Sequence, residues 1–347
     1  MISAERGDGG HSIHLADDDA HVHTKADRSF LATLGRNLAA QDLITSFFHA
    51  YTFARAVLAP DSPDAEIARR FSFALLAITL LTVALVRGEV LPRGGARSMI
   101  YRTGLFFPMV LSYFEMRFLL PALQPVLVDA QLMAIDEALF GGVSPVFPLQ
   151  ALNQYPLVIE WLAIAYYSYF YIMALMLLPS LYLESHRVMA ELLTGALLIC
   201  AVGHVFYTFV PGGGPVLHVA FEEPLNGGFF LNKVFETVSA AGAQFDVFPS
   251  LHTAYLSYFA LVAYGRRKEP IFRVVFPILT VIAAHMIVAT IALRWHWAID
   301  VVAGFVLAIA ARWLSFVIVG REQGRAEEGR QELWEPLRAS ERPPHHA

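Results

Sequence analysis

Residues 271–319 read IFRVVFPILTVIAAHMIVATIALRWHWAIDVVAGFVLAIAARWLSFVIV. Two apolar runs, 271–293 and 296–319, are each long enough to cross a bilayer, because a spanning helix needs about 20 mostly apolar residues. Between them lies the polar turn Arg294-Trp295-His296-Trp297-Ala298-Ile299-Asp300. A carboxylate inside a span costs about 2.5–3.5 kcal/mol on insertion scales, so Asp300 is interpreted as functional. This stretch predicts an α-helical membrane protein with chemistry where its last two spans meet.

The same apolar pattern recurs upstream. Further runs of spanning length occupy residues 70–87, 101–122, 156–183, 189–210 and 249–265. The run 42–59 is interrupted by His49 and Arg55, and we expect it to lie in the membrane interface, with an eighth span as the alternative. The chain is 56% hydrophobic and only 16% charged, where globular proteins carry about 25% charged residues. We therefore predict an all-α, polytopic membrane protein.

Composition also excludes other classes of protein. The 347 residues carry 25 basic and 30 acidic side chains, a net charge of −5, so a nucleic-acid module with a basic face is excluded. The single cysteine, Cys200, lies in an apolar run, which excludes a disulfide scaffold and a thiolate metal cluster. No carboxylate cluster has metal-ligand spacing, and we expect neither a metal nor a cofactor.

The polarity of the chain divides it into four parts. Residues 1–36 are expected to form a disordered polar tail. Residues 37–98 hold the interfacial helix and the first span, and residues 99–320 form the membrane domain that carries the chemistry. Residues 321–347 are expected to form a cytoplasmic polar tail.

Arginine and lysine in the loops predict the orientation of the spans. Basic residues recur in the loops 87–98 and 265–273 and in the C-terminal tail, whereas 123–155 has none and 211–248 has only Lys233. We therefore expect a cytoplasmic C-terminus and two long external loops. The orientation of the N-terminus stays open at this point, because Arg69 and Arg70 begin the first span on the external side. Heavy use of arginine over lysine, and of alanine, favours a bacterial inner membrane.

A histidine and an aspartate at the external ends of the spans suit phosphate chemistry. His296 and Asp300 are four residues apart, so on a helix they share a face. A carboxylate beside one ring nitrogen leaves the other nitrogen available as a nucleophile. Isolated histidines elsewhere are more often satisfied polar groups. We assign that structural role to His204, His218 and His285.

Other residues of the same layer could bind the phosphate. The backbone N–H groups of Gly212, Gly213 and Gly214 can approach an oxyanion closely, although a triple glycine can also serve only a tight turn. Ser250 and His252 stand where a helix begins, and free N–H groups there attract anions. Arg294 offers two parallel donors to a phosphate.

Four motifs resemble one enzyme superfamily. Phe248-Pro-Ser-Leu-His-Thr-Ala254 and His296-Trp-Ala-Ile-Asp300 resemble the second and third signatures of the type 2 phosphatidic acid phosphatases, and are most similar to the inositol phosphorylceramide synthase branch. Ile135–Gly141 and Tyr207–Pro215 look like two further elements of that branch. The resemblance covers about residues 100 to 320. It implies a six-helix core with one or two additional N-terminal helices.

Two departures concern the phosphate cradle. The first signature of the superfamily, Lys-x6-Arg-Pro, has no match, and the Gly212–Gly214 loop stands in its place. An arginine commonly found six residues before the signature histidine is Thr290 here, and Arg294 is expected to replace it.

The resemblance also implies roles. His296 would be the nucleophile that forms a phosphohistidine, Asp300 would orient it, and His252 would protonate the leaving oxygen and later deprotonate the acceptor. Gly212–Gly214, Ser250 and Arg294 would hold the phosphate oxygens, without a metal.

Three functions follow from these residues. The leading hypothesis is a phosphotransferase that moves a phosphate-bearing headgroup, such as inositol phosphate, from a phospholipid donor to a lipid or alcohol acceptor. The alternative is a lipid phosphate phosphatase, of phosphatidate or polyprenyl-phosphate type, with water as the acceptor. A transporter with a histidine–aspartate relay is disfavoured, because the polar residues cluster at one face and no repeated halves are visible.

Overall fold

The computed structural model describes residues 29–182, 187–242, 244–322, 324–325 and 327–337. Most of the polar stretch 1–36, for which we expected disorder, lies outside the described residues. Within the described part the secondary structure is helical, apart from one isolated bridge between Gly212 and Asp246.

The helices are numbered in chain order. The first four are α1 (Phe30–Asn37), α2 (Ala40–Leu58), α3 (Pro63–Arg87) and α4 (Gly95–Ala122). The middle of the chain forms α5 (Asp129–Leu139), α6 (Val146–Leu149), a 3-10 helix (Gln150–Gln154), α7 (Pro156–Tyr167), α8 (Tyr169–Tyr182) and α9 (Arg187–Tyr207). The remainder forms α10 (Pro215–His218), α11 (Phe229–Ala241), α12 (Leu251–Gly265), α13 (Pro270–Ala292) and α14 (Ala298–Arg321).

Local chemistry explains where several helices begin. The Ser62 hydroxyl accepts a hydrogen bond from the Ala65 N–H at 3.1 Å, which caps α3. Prolines occupy the start of α3, α7 and α13, where a missing N–H and a fixed φ are tolerated best.

Six helical segments of the described chain are long and apolar enough to cross a membrane. They are α3, α4, the α7–α8 segment (Pro156–Tyr182), α9, α13 and α14. The prediction of an all-α polytopic membrane protein is therefore confirmed. The predicted span 249–265 forms the 15-residue α12, which is shorter than these six and packs inside the bundle against α9, α13 and α14.

The bundle has two ends with different contents. We call the end that holds α5 and the start of α14 the site end. There Asp136 of α5 accepts from the Ala298 N–H at 2.9 Å. We call the opposite end, which holds α1 and the described residues after α14 (322, 324–325 and 327–337), the tail end. There the Gln41 amide on α2 donates to the Leu333 carbonyl at 2.6 Å.

Helix α2 runs between these two ends. At the tail end Asp42 accepts from the Arg87 guanidinium at 2.7 Å, and towards the site end the Tyr51 hydroxyl lies 2.5 Å from Thr208 Oγ1. Nineteen residues of helix span about 28 Å, close to the roughly 30 Å of a bilayer's hydrocarbon core. Helix α2 is not among the six segments of the described chain that are long and apolar enough to cross a membrane, so the interfacial helix expected for 42–59, with an eighth span as the alternative, stays a prediction.

Candidate active site

His296 and Asp300 form a buried pair at the start of α14. His296 is 4% exposed and Asp300 is fully buried, and His296 Nδ1 lies 3.4 Å from Asp300 Oδ2. The two residues are not on one helical face as expected, because His296 precedes Trp297, the N-cap of α14. The Asp300 carboxylate instead turns back to the N-terminus, where it also accepts from the Trp297 N–H at 2.9 Å.

His252 faces this pair from the first turn of α12. Its ring centroid lies 5.8 Å from that of His296. Tyr166 and Tyr169 flank the His252 ring, with centroids at 4.5 Å and 4.3 Å. Among the described residues, none makes a hydrogen bond to this ring. Both histidines therefore have a nitrogen available to a substrate placed between them.

A close approach of α12 and α14 creates this arrangement. A Cβ atom on Gly304 would lie 2.3 Å from the Ser250 carbonyl oxygen, so only glycine permits the contact. The Ser250 N–H donates to the Asp300 carbonyl at 2.9 Å, and its hydroxyl accepts from the Thr253 N–H at 3.4 Å. Ser250 thus lies at the site, where it caps α12.

The glycine loop is close by, but its donors are already used. The N–H groups of Gly213 and Gly214 each donate to the buried Asp129 carboxylate at 2.8 Å. Asp129 also accepts from the Trp297 indole N–H at 2.9 Å. The expectation that this loop binds a phosphate needs correction, because an internal carboxylate occupies these donors. A Cβ on Gly214 would lie 2.3 Å from the Trp295 carbonyl oxygen, which explains the glycine by close packing.

A second aspartate of α5 occupies the N-terminus of α14. Asp136 accepts from the N–H groups of Ala298 at 2.9 Å and Ile299 at 2.7 Å, and from the Ser144 hydroxyl at 2.6 Å. The free N–H groups at the start of α14, which could bind an anion, are therefore also taken by a carboxylate of the protein itself. Asp129 and Asp136 are seven residues apart on α5, a spacing that puts two side chains on one helix face. That spacing was the available signal for a pair of anchoring residues.

The contacts of Arg294 within the described chain are with residues other than His252 and His296. Its Nε donates to Gln150 Oε1 at 2.7 Å, its Nη1 donates to the Glu223 carbonyl at 2.9 Å, and its guanidinium lies 3.9 Å from the Phe221 ring centroid. It adopts φ 69°, a conformation that is uncommon for residues other than glycine. The expectation that Arg294 cradles the phosphate beside His296 therefore finds no support in its contacts.

Asp246 is a residue that sequence reasoning missed. It lines the same cavity as His252 and is half-buried, bridged to Gly212 through the backbone. Burial raises the pKa of the Asp246 carboxyl, and its neighbour His296 lowers that pKa in part. The only signal in the sequence was a carboxylate six residues before His252.

The cavity beside His252 has a volume of about 340 Å³. Tyr113, Tyr169, Tyr207 and Asp246 line it near His252, and most of the remaining lining is aliphatic or phenylalanine. A second cavity of about 560 Å³ lies beside Arg294 and is lined by both apolar and polar side chains, the polar ones including Gln150, Gln154 and Glu222. Within the described residues, no group of three or more His, Cys, Asp or Glu side chains is arranged to hold a metal ion.

Comparison with known proteins agrees with the superfamily resemblance. The family model described as the PAP2 superfamily matches residues 130–314, which is more than half of the 347-residue chain and includes His252, His296 and Asp300. No curated protein matches the chain, and no solved structure matches it either. The chain belongs to the PAP2 superfamily.

Proposed function

We propose that this chain is a membrane phosphotransferase that moves a phosphate-bearing headgroup from a phospholipid to a lipid alcohol. Membership of the PAP2 superfamily supports a lipid phosphatase or phosphotransferase activity. The observation that carries the proposal is the pair of facing histidines, one of them beside the buried Asp300, at the end of a largely apolar cavity.

The proposed first step is a displacement at phosphorus. Asp300 lies beside Nδ1 of His296, so Nε2 is the nitrogen available to attack. The nitrogen–phosphorus bond forms while the bond from phosphorus to the lipid oxygen breaks. That oxygen takes its proton from His252, and diacylglycerol leaves.

The proposed second step reverses the roles. The acceptor hydroxyl gives its proton to His252, and its oxygen attacks the phosphorus of the phosphohistidine. The nitrogen–phosphorus bond breaks, which restores His296. Proton transfer by a positioned side chain contributes about 10²–10⁴-fold to rate, so His252 matters less than the nucleophile.

Burial of the pair supports a lipid acceptor over water. His296 is 4% exposed, and the adjoining cavity has mostly apolar walls. A lipid alcohol in that cavity would exclude water from the phosphohistidine. If water does reach it, the same residues would perform the alternative, hydrolysis of a lipid phosphate.

The inositol-phosphate headgroup is part of the same proposal. The second cavity, beside Arg294, which we call the outer cavity, has among its lining residues the amides Gln150, Asn153 and Gln154 and the carboxylates Glu222 and Glu223. Amides and carboxylates can hydrogen-bond the hydroxyl groups of a polyol. Arg294 is two residues from His296 in the chain, which supports the outer cavity as the place of the headgroup.

We also propose an orientation. The arginines of the α3–α4 connection and of the C-terminal segment lie at the tail end, and the positive-inside rule makes that end cytoplasmic. The active site would then face the outside of a bacterial inner membrane.

The test is turnover by purified protein in detergent. The protein is incubated with headgroup-labelled phosphatidylinositol, with and without a lipid extract as acceptor, alongside His296→Ala, His252→Ala and the control His285→Ala. His285 lies on α13, where its ring contacts Trp161. We expect labelled product lipid only with acceptor, none with His296→Ala, and normal turnover with His285→Ala.

Other outcomes have definite meanings. Labelled headgroup released without acceptor, again only with His296, would establish the hydrolase instead. Turnover that survives His296→Ala would overturn the proposed site.

A further inference from the structure

The cavity beside His252 lies between α4 and α8, which touch at two levels. Towards the site end the Tyr113 and Phe170 ring centroids lie 6.2 Å apart. Towards the tail end Thr103 Oγ1 lies 3.1 Å from the Tyr182 hydroxyl, and Arg102 donates to the Leu181 carbonyl at 2.7 Å. The cavity occupies the space between these two contacts.

Exposed apolar side chains frame this gap on its outer side. Phe107 and Val110 of α4 are 48% and 51% exposed, and Phe170 and Leu178 of α8 are 47% and 49% exposed. All four also line the cavity. Side chains on the membrane face that also line an interior space indicate a lateral opening to the surrounding lipid.

The back wall of the cavity belongs to α9. Ala196, Leu197 and Cys200 line it and are 1%, 1% and 8% exposed. Because these residues are buried from the outer surface, a molecule can reach them only through the cavity.

The two ends of the cavity differ in polarity. Asp246, Tyr113, Tyr207 and His252 lie at the end near the histidine pair, whereas Phe106, Leu177 and Leu181 line the other end. Neither lysine nor arginine is among the described residues that line it. This gradient matches an amphiphile whose polar group is at His252 and whose chain extends towards the tail end.

The depth of the cavity corresponds to one leaflet. From Thr103 to Tyr113, α4 rises about 15 Å, and from Phe170 to Tyr182, α8 rises about 18 Å. Half of a bilayer's hydrocarbon core is about 15 Å. A transmembrane helix of a partner would not fit in about 340 Å³, because 15 Å of a helix about 10–12 Å across fills more than about 1,000 Å³.

We propose that this cavity is a binding site for one hydrocarbon chain of the lipid substrate, which enters laterally between α4 and α8. The proposal rests on the proposed function, because it assigns the chain to the lipid that reacts at His252 and His296. With the chain in place, its phosphoester or hydroxyl group is held at the level of the two histidines.

The experiment maps where a lipid chain lies, without any need for turnover. The full-length protein is reconstituted in phosphatidylcholine vesicles that contain a long-chain phosphatidic acid with a photoreactive diazirine at the end of one chain. After illumination, mass spectrometry locates the attached lipid. The variants are Ala174→Trp, at an exposed residue that lines the cavity at mid-depth, and Leu175→Trp, at its neighbour, which is 71% exposed and does not line the cavity.

We expect lipid attached to the buried α9 segment 196–200 in the unmodified protein and in Leu175→Trp, and loss of that attachment in Ala174→Trp. Attachment confined to outer membrane-facing residues, or unchanged in Ala174→Trp, would overturn the proposal. The variant His296→Ala distinguishes a failure of the proposed function from a failure of the proposed chain-binding site. Full turnover by that variant refutes the proposed function, whereas attachment at 196–200 depends only on the cavity.

Discussion

The two ends of the bundle both bury charged groups but neutralise them differently. At the tail end, arginines are paired with carboxylates and carbonyls: Arg87 with Asp42, and Arg97 with Glu335. At the site end, the aspartates of α5 accept from backbone N–H groups instead, and no arginine contacts them in the described chain. The tail end thus joins distant segments of the chain by ion pairs. The site end holds the glycine loop and the start of α14 by hydrogen bonds to carboxylates.

The groups left over at each end differ as well. Around Arg87 at the tail end, the buried atoms without a hydrogen-bond partner belong to neutral groups, Gln41 Oε1 and Trp334 Nε1. At the site end such atoms include Asp300 Oδ1 of a carboxylate, together with Thr253 Oγ1 and Trp295 Nε1 of neutral groups. Polar groups without partners are costly in a low-dielectric interior. An unpartnered carboxylate oxygen beside His296 therefore points to a function other than stability.

The largest effect should follow from removing the proposed nucleophile at the site end, His296. We expect His296→Ala to lower turnover on the order of 10⁴-fold or more, as loss of a nucleophile does in other enzymes. The free energy of unfolding in detergent should change by about 1 kcal/mol or less, because the one hydrogen bond of the His296 ring within the described chain is a long one, to Asp300. A large loss of stability would mean that the pair is structural, like those of the tail end.

At the tail end we expect the opposite result, a large loss of stability with unchanged turnover. Arg87 contacts Asp42, Tyr101 and the Leu333 carbonyl in a fully buried site. We expect Arg87→Met to reduce the free energy of unfolding by about 3–5 kcal/mol, because it leaves Asp42 buried without its partner. Turnover per folded molecule should be unchanged.

The matched control for this change is an exposed pair of the same end. Arg93 and Glu89 form an ion pair with side chains 61% and 40% exposed. Arg93→Met should change the unfolding free energy by about 0–1 kcal/mol. Equal losses for the two arginine variants would refute the distinction between buried network and surface pair.

Replacing Asp136 should lower both stability and turnover. Its loss removes the acceptor for the Ala298 and Ile299 N–H groups at the start of α14. We expect Asp136→Ala to lower stability by about 1–2 kcal/mol, as for the loss of a helix cap, and to lower turnover by about 10–10²-fold through displaced His296. Asp136→Asn keeps one acceptor and should lie between. Full activity of Asp136→Ala would show that α5 does not position the histidine.

The smallest effect concerns pH. A carboxyl with a raised pKa in the folded state contributes stability that is present below its unfolded pKa, about 3.9, and is lost as pH rises through the folded value. Asp246→Asn should therefore be the more stable protein near neutral pH, by less than about 1 kcal/mol. That advantage should shrink as the pH falls towards 4 in thermal unfolding scans. An advantage that grows with acidity would contradict the raised pKa.

The sequence was sufficient to predict the six spanning helices and the meeting of His252, His296 and Asp300. Long apolar runs and loop charges predict helices and their alternation, because insertion depends on composition over about 20 residues. Hydropathy alone describes α2 poorly, because its buried face carries Gln41, Asp42, Thr45 and His49 against the rest of the bundle. Hydropathy counts such residues as polar although the protein, not lipid, surrounds them.

The phosphate cradle could not be predicted for a different reason. A glycine loop and a helix start offer N–H groups, but which anion takes them depends on distant segments. Here Asp129 and Asp136, separated from the groups they bind by more than 80 residues of chain, take them. Likewise, Arg294 is held by Gln150 and Glu223, which its own neighbourhood in the sequence did not indicate.

The most direct test is to find the covalent intermediate. The protein is mixed with phosphatidylinositol labelled in its phosphate, without acceptor, and quenched in alkali within the first turnover. Trypsin cleavage after Arg266 and Arg294 puts His252 and His296 in different peptides. We expect the label on the peptide that begins at Trp295, and no label in His296→Ala. Label on the His252 peptide, or product formation without any labelled peptide, would contradict His296 as the nucleophile.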